Sequence, residues 1–257
     1  MIYYKSDREI ALMRRSGQIL AGVVDMLRDV VRAGLSTLEI DEEVETFIVE
    51  RGATPAFKGY RGFPATVCVS INEEIVHGIP SAHRRVKEGD IVGFDLGCIV
   101  EGYYADCAVT LAIGDIPANV QKLLDVTRES LDLAIEQCWP GRRLSDVSHA
   151  VQSHVERNGF GVVRAFVGHG IGRALHEDPQ VPNFGEPGRG PVLKTGMVLA
   201  IEPMVTMGNW EVKILDDGWT AVTKDSSLAA HFEHTIAVTS AGPEVLTTMT
   251  GTPARAV

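Results

Sequence analysis

Four carboxylates and three histidines of this 257-residue chain stand where they could work on one ion. Asp95 closes the run Lys87-Glu-Gly-Asp-Ile-Val-Gly-Phe94, and Glu202 closes the run Lys194-Thr-Gly-Met-Val-Leu-Ala-Ile201. The two runs lie 107 residues apart, and the same offset pairs Gly34 with Gly141, Ile40 with Val147, Val44 with Val151, Ile48 with Val155 and Gly52 with Gly159. A register held without a gap from Gly34 to Asp95 reads as two copies of one supersecondary unit, packed about a pseudo-twofold axis. Equivalent acids would then meet near that axis. Carboxylates forced together resist joint ionisation unless a cation sits between them. The repeat therefore points to a metal site.

Asp106 belongs with Asp95. The two acids flank a hairpin turn near Glu101-Gly102, and the register that pairs them directly would set their Cβ atoms roughly 4.5–5.5 Å apart. A bulge at Gly102 would shift that register by one residue. Asp is depleted in strands, yet here it lies among Phe94, Leu96, Ala105 and Cys107. Glu233 precedes Thr235-Ile-Ala-Val-Thr239, and with Glu202 it completes a four-carboxylate set. His169 lies in Gly168-His-Gly-Ile-Gly172, His176 in His176-Glu-Asp-Pro179 and His77 in Val76-His-Gly-Ile-Pro80. Glycines beside a histidine let backbone approach a site closely. Oxygen-rich ligands with one imidazole favour Mn, Fe, Co or Zn. His149 and His154 fall on a helix pattern and His83 in a charged loop, so these read as structural or solvated.

The elements that must position these residues are legible in outline. Apolar spacing predicts a helix over residues 7–32, ended by Gly34. Ser36 and Glu39 form a capping box that opens a second helix, closed by Gly52. Residues 54–80 read as loops and short strands (66–71, then 75–76), and residues 90–113 as a β-hairpin. Helices recur at 119–138 and 145–157, followed by strands at 161–167, 197–204, 210–214, 219–222 and 232–239. The Gly/Pro-rich stretch 182–191 reads as a loop. The fold class is α+β built twice: one domain over 1–257, with pseudo-repeats at about 8–113 and 119–241.

Composition narrows the function. A net charge of -10 disfavours a nucleic-acid groove. No run of about 18 apolar residues offers a transmembrane helix, and no apolar stretch follows a basic start as in a signal peptide. Cys68, Cys98, Cys107 and Cys138 lie far apart without CxxC spacing, which fits a reduced cytosolic setting.

Together, Asp95 with Asp106, Gly-His169-Gly-Ile-Gly, His176-Glu-x-Pro, Ile201-Glu202-Pro-Met204 and Phe232-Glu233-His-Thr resemble the type I methionine aminopeptidases, over about residues 4–241. The resemblance implies a pita-bread fold of two pseudo-symmetric halves. It implies two divalent metal ions (Co, Mn, Fe or Zn) on Asp95, Asp106, His169, Glu202 and Glu233. His77, His176 and Glu202 would be catalytic. Tyr60, Phe63, Cys68, Leu175 and Trp219 would form the pocket for the methionine side chain, with His77 and His176 also touching substrate. The substrate would be the N-terminal Met of nascent polypeptides with a small second residue. The setting implied is the cytoplasm, with transient ribosome proximity, a monomer, and no nucleic-acid or membrane partner. Val76, Leu175 and His231 depart from the residues most frequent in the family, and none of them removes a ligand. A Xaa-Pro peptidase of the same fold is the nearest rival, expected to carry an extra N-terminal domain. A binding module that has lost catalysis, or a carboxylate-rich metal store, fits the intact ligands and histidine loops less well.

Overall fold

Serine and glutamate three residues apart start both helices of the first half. In this computed structural model, which describes residues 1–249, Ser6 caps α1 (Asp7–Val30) and Ser36 caps α2 (Thr37–Glu50), each with its Glu side chain returned to the cap backbone. Ile10, Met13, Leu20, Val23, Val24 and Leu27 form the buried stripe of α1. The strands of this half are β1 (Thr54–Pro55), β2 (Val67–Ile71), β3 (Glu74–Val76), β4 (Ile91–Val100) and β5 (Tyr103–Ala112). The second half opens with α3 (Ala118–Ile135) and α4 (Leu144–Arg157), then β6 (Gly161–Val162), β7 (Gly168–Gly170) and β8 (Glu177–Val181). It continues through β9 (Val198–Ile201), β10 (Met204–Thr206), β11 (Val212–Ile214), β12 (Ala221–Thr223), β13 (Ala229–His231), β14 (Glu233–Thr239) and β15 (Gly242–Val245).

The 107-residue offset recurs in the backbone. α2 and α4 are displaced by it at both ends, as are the first residues of β4 and β9. Gly34 N–H donates to the Val86 carbonyl at 2.8 Å, and Gly141 N–H to the Leu193 carbonyl at 2.9 Å. Both glycines hold a left-handed φ, 96° and 94°, which is why glycine stands there.

A nine-stranded sheet runs β1-β4-β5-β14-β9-β7-β8, with β2 also on β4 and β15 on β14. α1 packs on β4 and β5, and α3 reaches β13 and β14. Leu96, Cys107 and His234 lie directly opposite one another in the sheet. Cys107 and His234 share a cavity with Arg28 of α1 and Arg128 of α3, so this row faces the helices. Alternation therefore turns Asp95, Ala108 and Glu233 to the opposite face. Two small sheets, β13-β10-β6 and β11-β12-β3, complete the fold. No helix of the described residues is long and apolar enough to cross a membrane.

The hairpin register differs from the sequence expectation. Asp95 faces Ala108 and Asp106 faces Gly97, two residues off the direct pairing and with no bulge. Glu101 and Gly102 occupy the turn with φ of 50° and 81°, the two left-handed positions of a type I′ turn. Val100 must then pair with Tyr103, and the rest follows. An even shift keeps both acids on one face.

Other boundaries differ for local reasons. Strand 197–204 breaks at Glu202-Pro203, because Pro203 has no N–H to donate, and the chain passes from the large sheet into the small one. The facing strand breaks at the same level: Ile201 pairs with His234, then Met204 with His231. The stretch 161–167 forms a strand only at Gly161–Val162 and then turns, which carries Phe166 against the His77 ring. The predicted helix 119–138 stops at Ile135, its last turn unwinding before Pro140.

Candidate metal centre and cavity

Two rows of side chains cross the sheet beneath the site. The first is Cys68, Asp95, Ala108 and Glu233, each directly opposite the next. Extending the β14–β9 register by one residue adds Glu202 to its end. Two residues along lies the second row. Gly97 faces Asp106, whose N–H donates to the Thr235 hydroxyl oxygen at 2.9 Å, and Thr235 faces Ala200, which faces His169. The acids and the imidazole thus alternate with Gly, Ala and Thr. Small neighbours leave space above the sheet into which the ligand-type side chains converge.

Asp106, His169 and Glu233 each bring a ligand atom within 4.8 Å of the others. His169 Nε2 lies 3.7 Å from Asp106 Oδ2 and 3.6 Å from Glu202 Oε1, while its Nδ1 faces the Gly170 carbonyl at 3.0 Å. That last bond leaves Nε2 as the free lone pair, the arrangement of a metal-ligating imidazole. Glu233 Oε1 is buried without a hydrogen-bond partner, and so is Nε2 of the adjacent His231. Burial pushes the Asp95 carboxyl up to about 7, despite hydrogen bonds from Asp106 and Cys68 that oppose it. Burial and neighbouring carboxylates raise Asp106, Glu202 and Glu233 well above their ordinary range. Burial also lowers His77 and His169 to about 4. A cluster that resists its own ionisation, with an orphaned carboxylate oxygen and a mixed O/N donor set, fits divalent cations.

All twelve residues singled out in the sequence line one cavity of about 180 Å³. Phe63 and Trp219 meet edge to face at 5.2 Å, and Cys68 and Leu175 are buried beside them. Asp41 anchors the start of β2 by accepting from Thr66 N–H at 2.8 Å and Val67 N–H at 2.9 Å, which fixes Cys68. His77 holds a left-handed φ of 64°, uncommon for a residue with a side chain. Its ring is set by Phe166 at 5.4 Å and Trp219 at 6.2 Å. His176 stands 4.3 Å from the His169 ring, centroid to centroid. Phe57, Arg61, Val76, Phe166, Val167 and Met204 also line the cavity and were not singled out as site residues. Met204 was detectable through its place after Glu202-Pro203. The others lie in loops and short strands whose apolar residues carry no spacing signal.

Residues 11–240 match the model of metallopeptidase family M24. A methionine aminopeptidase of Clostridium perfringens is 52% identical over 247 residues, which cover 96% of this chain and 99% of that protein. The chain belongs to the methionine aminopeptidases of family M24. Methionine aminopeptidase 1 of Bacillus subtilis is 51% identical over the same shares. The crystal structure of the Thermotoga maritima methionine aminopeptidase superposes with a TM-score of 0.95 at 48% identity, covering 96% of this chain and all of that one. The fold is accordingly the pita-bread fold, and use of a divalent metal goes with the family.

Proposed function

We propose that this chain removes the N-terminal methionine from nascent proteins and peptides whose second residue is small. The observation that carries the proposal is the convergence of Asp106, His169 and Glu233 in the same cavity that Asp95, Glu202, His77, His176 and the apolar Phe63, Leu175 and Trp219 line. Asp95, Asp106, His169, Glu202 and Glu233 would hold two divalent ions of the Co, Mn, Fe or Zn kind. When bound, such ions supply Lewis acidity and a reactive water at neutral pH.

The protein's own groups do the rest. Phe63, Trp219, Cys68, Leu175 and Tyr60 receive an unbranched apolar side chain, and a thioether gains roughly 0.3–1.5 kcal/mol beside aromatic rings. Glu202, at the break between the two sheets, takes the proton of the attacking water and returns it to the leaving amine, a role worth typically about 10²–10⁴ in rate. His176, neutral through burial, donates to the developing oxyanion. His77, held by two aromatic edges, orients the peptide and crowds the second-residue position. On this reading the substrates are chains newly emerging from the ribosome, the setting is the cytoplasm, and the enzyme acts as a monomer.

Incubation of the metal-loaded protein with Met-Ala-Ser and Ala-Pro peptides tests the reading. Free methionine from the first peptide alone is the expected result. Release of alanine from the second, with Met-Ala-Ser intact, would establish the Xaa-Pro peptidase instead.

A further inference from the structure

We propose that Lys5 is a positioning residue for His176, acting through Glu177. The inference rests on the role given to His176 above. β7 and β8 form a hairpin that carries His169 on one strand and His176 at the end of the turn 171–176. Within the turn, Gly172 N–H reaches the Ala174 carbonyl at 3.2 Å. The Glu177 carboxylate does the shaping. Its Oε1 accepts from Arg173 N–H at 2.8 Å and Ala174 N–H at 3.2 Å, and its Oε2 accepts from the Lys5 ammonium at 2.6 Å.

This ion pair is buried, with side chains 6% and 8% exposed. Removing one partner of a buried pair strands the other charge away from water. Gly172, the third glycine of the Gly168-His-Gly-Ile-Gly172 stretch, makes room for it. A Cβ there would fall 2.4 Å from Lys5 Cε and 2.9 Å from Nζ. Lys5 is fixed in turn. Its N–H donates to the Gly196 carbonyl at 2.7 Å, and the next residue caps α1. The Glu9 side chain of that cap accepts from the Tyr103 hydroxyl at 2.8 Å, and Tyr104 N–H donates to the Gly172 carbonyl at 2.8 Å. The entry segment, the β4–β5 hairpin and the His176 turn are thereby one framework. Loss of the Lys5 charge frees the Glu177 carboxylate to seek water, and the turn that it shapes goes with it.

The test pairs kinetics with hydrogen exchange. Lys5→Met should lower kcat on Met-Ala-Ser by about tenfold or more, since an error of order 1 Å in position costs roughly 10² in rate, and leave KM within about twofold. The same substitution in a His176→Ala background should cost nothing further, and Lys5→Arg should recover most of the rate. On metal-free protein, the amides of residues 171–177 should exchange about tenfold faster in Lys5→Met, with β2 unchanged. Equal kcat losses in both backgrounds, or unaltered exchange in the turn, would overturn the proposal. If Lys5→Met fails to fold, Lys5→Gln, which keeps a donor and drops the charge, carries both arms. If wild-type protein releases no methionine, the role of His176 falls, and the exchange arm alone decides whether Lys5 holds the turn.

Discussion

The Tyr60 hydroxyl meets Nδ1 of His176 at 2.9 Å, and this contact decides which nitrogen is left for chemistry. Burial and the nearby Arg61 disfavour the protonated ring, so His176 is neutral. A phenol that donates to Nδ1 leaves the ring proton on Nε2, where it can be donated in turn. The two rings are also stacked, 5.5 Å between centroids. Tyr60→Phe keeps the stack and removes the bond. A hydrogen bond is worth about 0.5–1.5 kcal/mol net, so kcat should fall roughly two- to tenfold while KM changes little. Steady-state kinetics on Met-Ala-Ser would check it, and a KM effect larger than the kcat effect would assign Tyr60 to binding alone.

The buried carboxylates set a pH dependence for the metal-free chain. Asp95 titrates at about 7 when folded, against an ordinary 3.8, and Asp106, Glu202 and Glu233 are raised as well. The folded state holds protons that the unfolded chain has released, so this stability is full below the ordinary carboxylate range and is lost as pH rises through the folded value. His77 and His169, lowered to about 4, act the other way, but only as pH falls below about 6.5. Between pH 6.5 and 8 the acids alone govern. The metal-free protein should lose about 1.4 kcal/mol per pH unit for each proton retained, or about 2–4 °C in Tm per kcal/mol. Saturating Mn should abolish the slope. Calorimetry showing a Tm that rises over this interval would refute the assignment.

Much of this architecture was legible in the chain because it rests on local signals. Ser36 and Glu39 announce their helix by a capping box, and Gly102 announces the hairpin turn by its suitability for a left-handed φ. What escaped depends on partners distant in sequence. The Asp95–Asp106 register lies two residues from direct pairing because the turn fixes it more tightly than the acids do. β8, Glu177-Asp-Pro-Gln-Val181, has no alternating pattern and contains Pro179, which an edge strand tolerates and a sequence reading rejects. Phe57 and Phe166 reach the cavity through tertiary packing that no spacing encodes. The acids carry a stronger signal, since a carboxylate within an apolar strand run must be explained wherever it falls.

Glu202 and His77 line the same cavity but should fail differently when replaced. Glu202 lies 3.6 Å from His169 Nε2 inside the acid cluster, whereas the His77 ring packs against Phe166 and Trp219. Glu202→Gln should reduce kcat by about 10²-fold or more, through lost proton transfer and weaker metal retention. His77→Ala should cost less in kcat and more in discrimination at the second residue. Metal content by plasma emission, measured beside the kinetics, separates the two causes. Comparable kcat losses with metal intact in both variants would count against the proton-shuttle role.

Ala108 offers the most direct check on the geometry. It lies between Asp95 and Glu233 in one row of the sheet, on their face, with its methyl as the only side chain separating them. Ala108→Val adds two methyl groups at that position. The strand accepts a β-branched residue readily, so far-UV circular dichroism should be unchanged. The added volume intrudes where the two carboxylates converge, and overpacking costs typically about 1–3 kcal/mol in a filled interior. The cost should therefore appear in metal affinity rather than in folding. Calorimetric titration of the metal-free protein with Mn should show binding weakened by roughly ten- to a hundredfold, the range of about 1.4–2.8 kcal/mol. Wild-type affinity in Ala108→Val would mean that the ions do not sit over this row, and the ligand set would have to be redrawn around Asp106 and His169 alone.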